Sequence, residues 1–180
     1  MSSRPEYGEE RPLALVALGA NLGDRMGTLR AAVVRLAREP GIEVSRASNA
    51  FDTAPVGPPD QPRYLNAAVA LRTELGPHAL LERLLTIERE FGRDRVGSRW
   101  GPRTLDLDLV LFGEWEIDDG RLHLPHPRFR ERAFVLLPLA EIAPRSRDPL
   151  TGESIESLLR ACPGRSDAVR YGSLESPSAP

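Results

Sequence analysis

Two aspartates, Asp106 and Asp108, stand two positions apart in the segment Leu105-Asp106-Leu107-Asp108-Leu109-Val110-Leu111-Phe112. Successive side chains of a β-strand leave opposite faces at a rise of about 3.3 Å per residue, so this pair shares one face with its Cα atoms about 6.5 Å apart. Aspartate is depleted in strands, and two like charges on one face repel unless something positive lies between them. Mg2+ is the economical candidate, because it prefers carboxylate oxygens, keeps several waters and completes its shell with substrate phosphates. An alternating Leu-Asp strand is also how an ordinary half-exposed sheet face reads, and the pattern alone does not separate the two. Directly before it, Arg99-Trp100-Gly101-Pro102-Arg103-Thr104 sets guanidinium groups beside the carboxylates. That mixture suits a site where metal ions and arginine together neutralise a polyphosphate, and a nucleotide is the expected ligand.

Other residues could serve the same site. Arg89, Arg93, Arg95, Arg99 and Arg103 crowd the end of a helical segment and the loop after it. A solvated helix end accounts for Arg89 and Arg95. Several arginines in a glycine-flanked loop ahead of an acidic strand also fit a loop that closes over transferring phosphates and excludes water. Tyr64, Asn66, Trp100 and Phe134 could hold a flat heterocycle by stacking plus an amide at the ring edge, although an aromatic at a strand start is usually core. His126, in Leu124-Pro125-His126-Pro127, reads equally as a surface residue, a proton shuttle or a phosphate donor. Gly19-Ala20-Asn21-Leu22-Gly23-Asp24 matches neither the dinucleotide fingerprint nor the P-loop and is read as a tight turn.

Composition bounds the possibilities. At 180 residues with 41% hydrophobic and 28% charged content, one globular domain is expected over residues 12–162, with loose tails at 1–11 and 163–180. No apolar run is long enough to span a membrane, and the polar start of the chain lacks a secretory core, so a cytoplasmic location is expected. Cys162 is the only cysteine, which excludes an internal disulfide and a cysteine-based metal cluster. The chain contains no lysine, so its 24 basic residues are all arginine and a Walker-type loop is unavailable. A net charge of −2 gives no general attraction to nucleic acid or anionic membrane.

The elements that must carry these residues follow from periodicity. Leu13 to Leu18 reads as a buried strand feeding a turn, and Asp24 as the cap of a helix with Leu29, Val33, Val34 and Leu36 on its apolar side. Ile42 to Phe51 alternates weakly before a segment with four prolines in nine residues, 54–62, that can be neither helix nor central strand. Tyr64 to Leu71 predicts a strand, Pro77 to Phe91 a helix with Pro in its first turn, and Thr104 to Phe112 the acidic strand. Phe134 to Ile142 is expected to be helical despite Pro138. The order strand, helix, strand, strand, helix, strand predicts an α+β fold of ferredoxin-like βαββαβ type. Its sheet is mainly antiparallel with helices packed on it, and short helices follow at the C-terminal end. Such a fold hosts many functions and does not choose among them.

Taken together, Leu18 to Asp24, Thr53-Ala54-Pro55, Gln61 to Ala67, Ile87-Glu88 to Gly92-Arg93, Arg99 to Asp108, and Pro125-His126 with Arg132 and Phe134 resemble the 6-hydroxymethyl-7,8-dihydropterin pyrophosphokinase family of folate biosynthesis. The matches run in family order across roughly residues 13 to 144. The resemblance implies transfer of pyrophosphate from ATP to the hydroxymethyl oxygen of the pterin, releasing AMP. It places two Mg2+ ions on Asp106 and Asp108, with Arg93 and Arg103 joining these two as catalytic residues. Arg95, Arg99, Trp100, His126, Arg132 and Glu88 fall at family positions on the nucleotide side. The pterin falls between Tyr64 and Phe134, with Trp100 beside it and Asn66, Thr53, Pro55 and Val56 around the ring edge. Pro127 and His123 depart from residues that some members carry near the nucleotide. A monomer is expected, with ATP and the pterin as small-molecule partners and no nucleic acid or membrane.

Two other classes are weighed against this. A nucleotidyltransferase would use the same paired aspartates and release pyrophosphate rather than AMP. An RNA-binding module of the same fold would need a basic sheet with exposed aromatics, whereas this face carries Asp106 and Asp108.

Overall fold

The computed structural model describes residues 11–56, 60–92, 104–164 and 167–174. Leu13–Ala20 (β1), Arg25–Ala37 (α1), Ile42–Ala47 (β2), Asn49–Thr53 (β3), Tyr64–Thr73 (β4), Pro77–Glu90 (α2) and Asp106–Phe112 (β5) build the ferredoxin-like core. A small hairpin follows, Ile117–Asp118 (β6) with His123–Leu124 (β7), then Ala133–Ile142 (α3), Ile155–Ala161 (α4) and Val169–Ser173 (β8). The main sheet runs β5-β1-β4-β3-β8, with β2 also on β4, and every pairing is antiparallel.

Helices cover both faces. Leu29, Ala32 and Leu36 of α1 and Leu80, Leu84 and Ile87 of α2 pack on Val16, Leu18, Leu65, Ala67, Val69, Leu107 and Leu109. Val135, Leu136, Leu139 and Ile142 of α3, with Ile155 and Leu158 of α4, pack on Leu15, Ala17, Ala68, Ala70 and Val110. The short C-terminal helices therefore supply the second cover, which is why β1 and β4 are buried along nearly their whole length.

Local chemistry starts and stops these elements. The Asp24 carboxylate accepts from the Gly27 amide at 2.9 Å and caps α1, as its position predicts. Pro77 begins α2, where its missing N–H costs nothing. Ser48 breaks the second strand into β2 and β3, and its hydroxyl accepts from the Ala68 amide at 2.8 Å so that the interruption leaves no orphan there. Pro138 lies inside α3, where it removes the internal bond to the Phe134 carbonyl without ending the helix.

Four expectations need correction. Gly19 and Ala20 are strand residues of β1 rather than part of the turn, which is confined to Asn21–Asp24. Val34 is exposed, and Ala32 takes the buried place on α1, because 3.6-residue periodicity puts positions 29, 32, 33 and 36 on one side. The hairpin of β6 and β7 forms between Phe112 and Phe134, a stretch for which periodicity predicts no element. Finally, Val169–Ser173 is not a loose tail but an edge strand paired with β3. Its largely exposed side chains carry no hydrophobic alternation; backbone pairing with β3 defines it, and Arg30 of α1 donates to the Ser173 carbonyl at 3.0 Å.

Candidate active site

The strand periodicity that buries one set of side chains under α1 and α2 turns Asp106, Asp108, Ala17, Gly19, Asn66 and Tyr64 toward the face of α3. There they line a cavity of about 340 Å³ together with Leu18, Thr53, Ala54, Val56, His126, Pro127, Arg128, Arg132, Phe134 and Val135. Register explains the space. Gly19 lies opposite Asp106 on one side and Asn66 on the other, and Ala17 lies opposite Asp108. Side chains on this face of β1 shrink from Leu15 to Ala17 to Gly19, so the apolar packing under α3 gives way to an open floor. A Cβ at Gly19 would meet the Asn66 Oδ1 at 3.2 Å, closer than an ordinary contact.

Asp106 and Asp108 are half-buried neighbours on this face, as the alternation requires. A bulge in β5 opposite Leu15 and Val16 sits just beyond them, so Val110 and Leu111 both join the core under α3 and the acidic pair keeps the cavity side. From the outer edge of β5, the Glu88 carboxylate accepts from the Leu107 amide at 2.7 Å. Glu88 is buried, does not line the cavity, and grips the backbone between the two aspartates. Among the described residues no group of three or more His, Cys, Asp or Glu side chains converges as a closed metal site. Two carboxylates on an open floor instead fit a hard cation whose remaining ligands are water and phosphate.

Cations face the pair from the segment before α3. His126 donates its amide to the Val110 carbonyl at 2.9 Å, which ties this segment to the end of β5. Burial, and then the neighbouring Arg132 guanidinium, push the His126 imidazole down to about 4. Its Nδ1 accepts from the Arg128 amide at 3.2 Å, so the neutral ring carries its proton on Nε2. The Arg132 guanidinium, held low mainly by burial, is drawn the other way by Asp108 and Asp106 and lies over the Phe134 ring at 5.7 Å.

The His126 shift has a measurable consequence. Between an ordinary midpoint of 6.5 and the folded value of about 4, the unfolded chain binds a proton that the folded chain refuses. Stability from this group is therefore present above pH 6.5 and is lost as pH falls toward 4. An NMR titration of the ring protons is expected to place the His126 midpoint near 4, and a midpoint at the ordinary 6.5 would overturn its description as a neutral donor.

The other end of the cavity is aromatic and amide-lined. Asn66 donates from Nδ2 to the Thr53 hydroxyl at 2.6 Å, both side chains being buried. Tyr64, at the start of β4, and Phe134, in the first turn of α3, are half-buried in the cavity wall. The Thr53 to Val56 loop is braced from the C-terminal segment, where Asp167 accepts from the Ala54 amide at 2.9 Å and faces Arg63.

Of the residues singled out from sequence, the fold brings together Asp106, Asp108, His126, Arg132, Thr53, Val56, Tyr64, Asn66 and Phe134. Pro55 belongs to the same loop without lining the cavity, and Glu88 stands behind it. Arg93, Arg95, Arg99, Trp100 and Arg103 lie outside the described residues. His123 does not reach the cavity; its Nδ1 is 2.7 Å from Asp118 in the exposed hairpin. Sequence reasoning missed Ala17 and Gly19, whose signal was their small size on the face shared with the acidic pair, and Arg128, two residues past His126.

Comparison with known proteins shows the family and the fold. Residues 15–144 match the family model of 7,8-dihydro-6-hydroxymethylpterin-pyrophosphokinase. The chain is 48% identical over 146 residues to a Synechocystis protein named 2-amino-4-hydroxy-6-hydroxymethyldihydropteridine pyrophosphokinase, covering 81% of this chain and 74% of that one. Proteins of the same name from Methylorubrum extorquens and Pseudomonas aeruginosa are 52% identical over 131 residues and 47% identical over 148, covering 73% and 82% of this chain and 82% and 90% of theirs. Among solved structures, an HPPK-DHPS complexed with substrates superposes with a TM-score of 0.68 at 14% identity, over 84% of this chain and 43% of that one. A Plasmodium falciparum HPPK-DHPS gives 0.67 at 12% identity, over 85% and 46%. The chain thus spans less than half the length of these two, and at such identity the likeness speaks for the fold alone.

Proposed function

The chain belongs to the 7,8-dihydro-6-hydroxymethylpterin-pyrophosphokinase family, and from that premise we propose how its residues divide the reaction. The enzyme transfers pyrophosphate from ATP to the hydroxymethyl group of 6-hydroxymethyl-7,8-dihydropterin, giving AMP and the pterin diphosphate in folate biosynthesis. Transfer of this kind asks for alignment and charge neutralisation more than for covalent help.

One observation carries the division of labour: a single cavity holds carboxylates on β5, cations on the segment before α3, and an aromatic and amide slot around β4 and β3. In this reading Asp106 and Asp108 would hold two Mg2+ ions, which would supply charge neutralisation of the triphosphate and a lowered pKa for the attacking hydroxyl. Arg132, Arg128 and the Nε2–H of neutral His126 meet the phosphates. By family position, Arg95, Arg99 and Trp100 are assigned to the nucleotide side and Arg93 and Arg103 to catalysis. Tyr64 and Phe134 flank the flat pterin, with Trp100 alongside. Asn66, fixed by Thr53, accepts from the ring edge beside Pro55 and Val56. Glu88 acts through the Leu107 amide by holding β5 rather than by touching the nucleotide.

The same reading has one domain, reaching past residues 12–162 because β8 pairs with β3, working as a monomer in the cytoplasm without nucleic-acid or membrane partners. The lack of such partners is supported by the net charge of −2 and by the absence, among the described residues, of a helix long and apolar enough to cross a membrane. Mn2+ binding in the presence of a nonhydrolysable ATP analogue tests the metal assignment by electron paramagnetic resonance. Two ions per chain are expected, with loss of both sites in the variant carrying Asp106→Asn and Asp108→Asn together. Unchanged Mn2+ binding in that double variant overturns the assignment.

A further inference from the structure

The turn that presents cations to the cavity is gripped from behind. Between Arg128 and Arg132, both of which line the cavity, lies Arg130, which does not. Its guanidinium makes a two-pronged contact with Asp148, Nε to Oδ2 at 2.6 Å and one terminal nitrogen to Oδ1 at 2.7 Å. It also lies over the fully buried Phe129 ring at 4.8 Å. The Asp148 side chain is completely buried.

Asp148 is itself held by the turn that carries it. Its Oδ2 accepts from the Thr151 hydroxyl at 2.7 Å and its Oδ1 from the Leu150 amide at 3.1 Å. Its amide donates to the Glu153 carbonyl at 2.9 Å, and its carbonyl accepts from the Gly152 amide at 2.8 Å. Burial pushes the Asp148 carboxyl up, but the Arg130, Thr151 and Leu150 hydrogen bonds outweigh it and hold the group below the usual carboxylate value, so it is ionised at neutral pH. A buried ion pair of this quality is a poor source of net stability but a good fixer of geometry. Asp148 stands beyond residues 15–144, the part of the chain that matches the family model.

We propose that Asp148 and Arg130 are positioning residues: their fork holds the turn of residues 128–132 so that Arg128 and Arg132 meet the nucleotide phosphates already in place. The inference rests on the nucleotide side assigned above. Arginines that swing must be ordered when ATP binds, whereas a turn clamped to a rigid neighbour has lost that freedom in advance. Neither strut residue lines the cavity, and of the pterin slot Asn66, Thr53 and Tyr64 are built on different strands while Phe134 is held by the packing of α3 on the sheet.

Arg130→Lys keeps the charge and loses the fork, and Asp148→Asn keeps the shape and loses the carboxylate. Each folded variant is compared with the wild type for binding of a nonhydrolysable ATP analogue, for binding of the pterin and for steady-state kinetics, with thermal denaturation to confirm folding. The expected result is an ATP KM and analogue Kd raised about tenfold, a kcat lowered by a similar factor, and pterin Kd unchanged. A role in stability alone lowers the melting temperature and the active fraction and leaves both dissociation constants as they were, which overturns the proposal. So does unchanged ATP affinity in Arg130→Lys, the milder variant, should Asp148→Asn fail to fold. Arg132→Ala separates the two levels. If it weakens ATP binding and the fork variants do not, the strut alone is refuted; if it too leaves ATP binding intact, the nucleotide side is misplaced and the strut falls with it.

Discussion

Replacing Asp106 or Asp108 by alanine is expected to lower turnover by at least about 1000-fold, or about 4 kcal/mol of transition-state stabilisation, while the protein stays folded. The size follows from the reaction. Little covalent help is available to a transfer between phosphate oxygens and an alcohol, so most of the acceleration comes from aligning the triphosphate and spreading its charge. Among the described residues lining the cavity these are the only carboxylates. The fold is expected to survive because both side chains are half-buried on an open floor and neither packs in the core. Removing one carboxylate also relieves repulsion on a shared face. An assay coupled to AMP release, with the melting temperature measured alongside, decides the matter. Turnover within tenfold of the wild type in both variants removes the acidic pair from the chemistry.

Asn66→Ala is expected to raise the pterin dissociation constant about 100-fold, or about 2.7 kcal/mol, with ATP affinity unchanged. Its Nδ2 is committed to the Thr53 hydroxyl at 2.6 Å, which turns Oδ1 toward the space that Gly19 leaves open. That orientation is set by the hydrogen-bond network, and it presents an acceptor to a ring N–H between half-buried aromatic walls. Deleting the amide loses this contact and leaves the ligand donor facing apolar wall, a heavier penalty than the loss of one exposed hydrogen bond. Titration of the pterin by its own fluorescence measures the effect. A change below threefold, or an equal weakening of ATP, means that the ring edge is read elsewhere.

Much of this architecture is legible in the sequence because it depends on short-range regularities. Period-2 alternation puts Asp106 and Asp108 on one face, and β5 keeps them there. Helical spacing, the Asp24 cap and Pro77 placed α1 and α2, and the described residues of the proline-rich stretch, 54–56 and 60–62, lie outside the sheet as expected. Family resemblance added the pterin and nucleotide roles, among them a nucleotide-side place for Glu88. Local pattern did not show that the crossing of α2 against β5 aims this carboxylate at the Leu107 amide.

Local pattern has no access to features made by partners distant in the chain. The edge strand β8 shows no apolar alternation and exists because β3 offers an unpaired backbone edge. Gly19 looks like turn punctuation and becomes the cavity floor only because β1 is flanked by Asp106 on one strand and Asn66 on another. Arg130 reads as one of 24 arginines until the turn after α3 brings the buried Asp148 against it. The sequence by itself determined which elements form and which face of β5 carries charge, since both follow from repeats of a few residues. Only the tertiary structure decided which side chains share the cavity and which stand behind it. Those distances depend on register and helix crossing, where one residue of slip turns a strand's side chains to the opposite face.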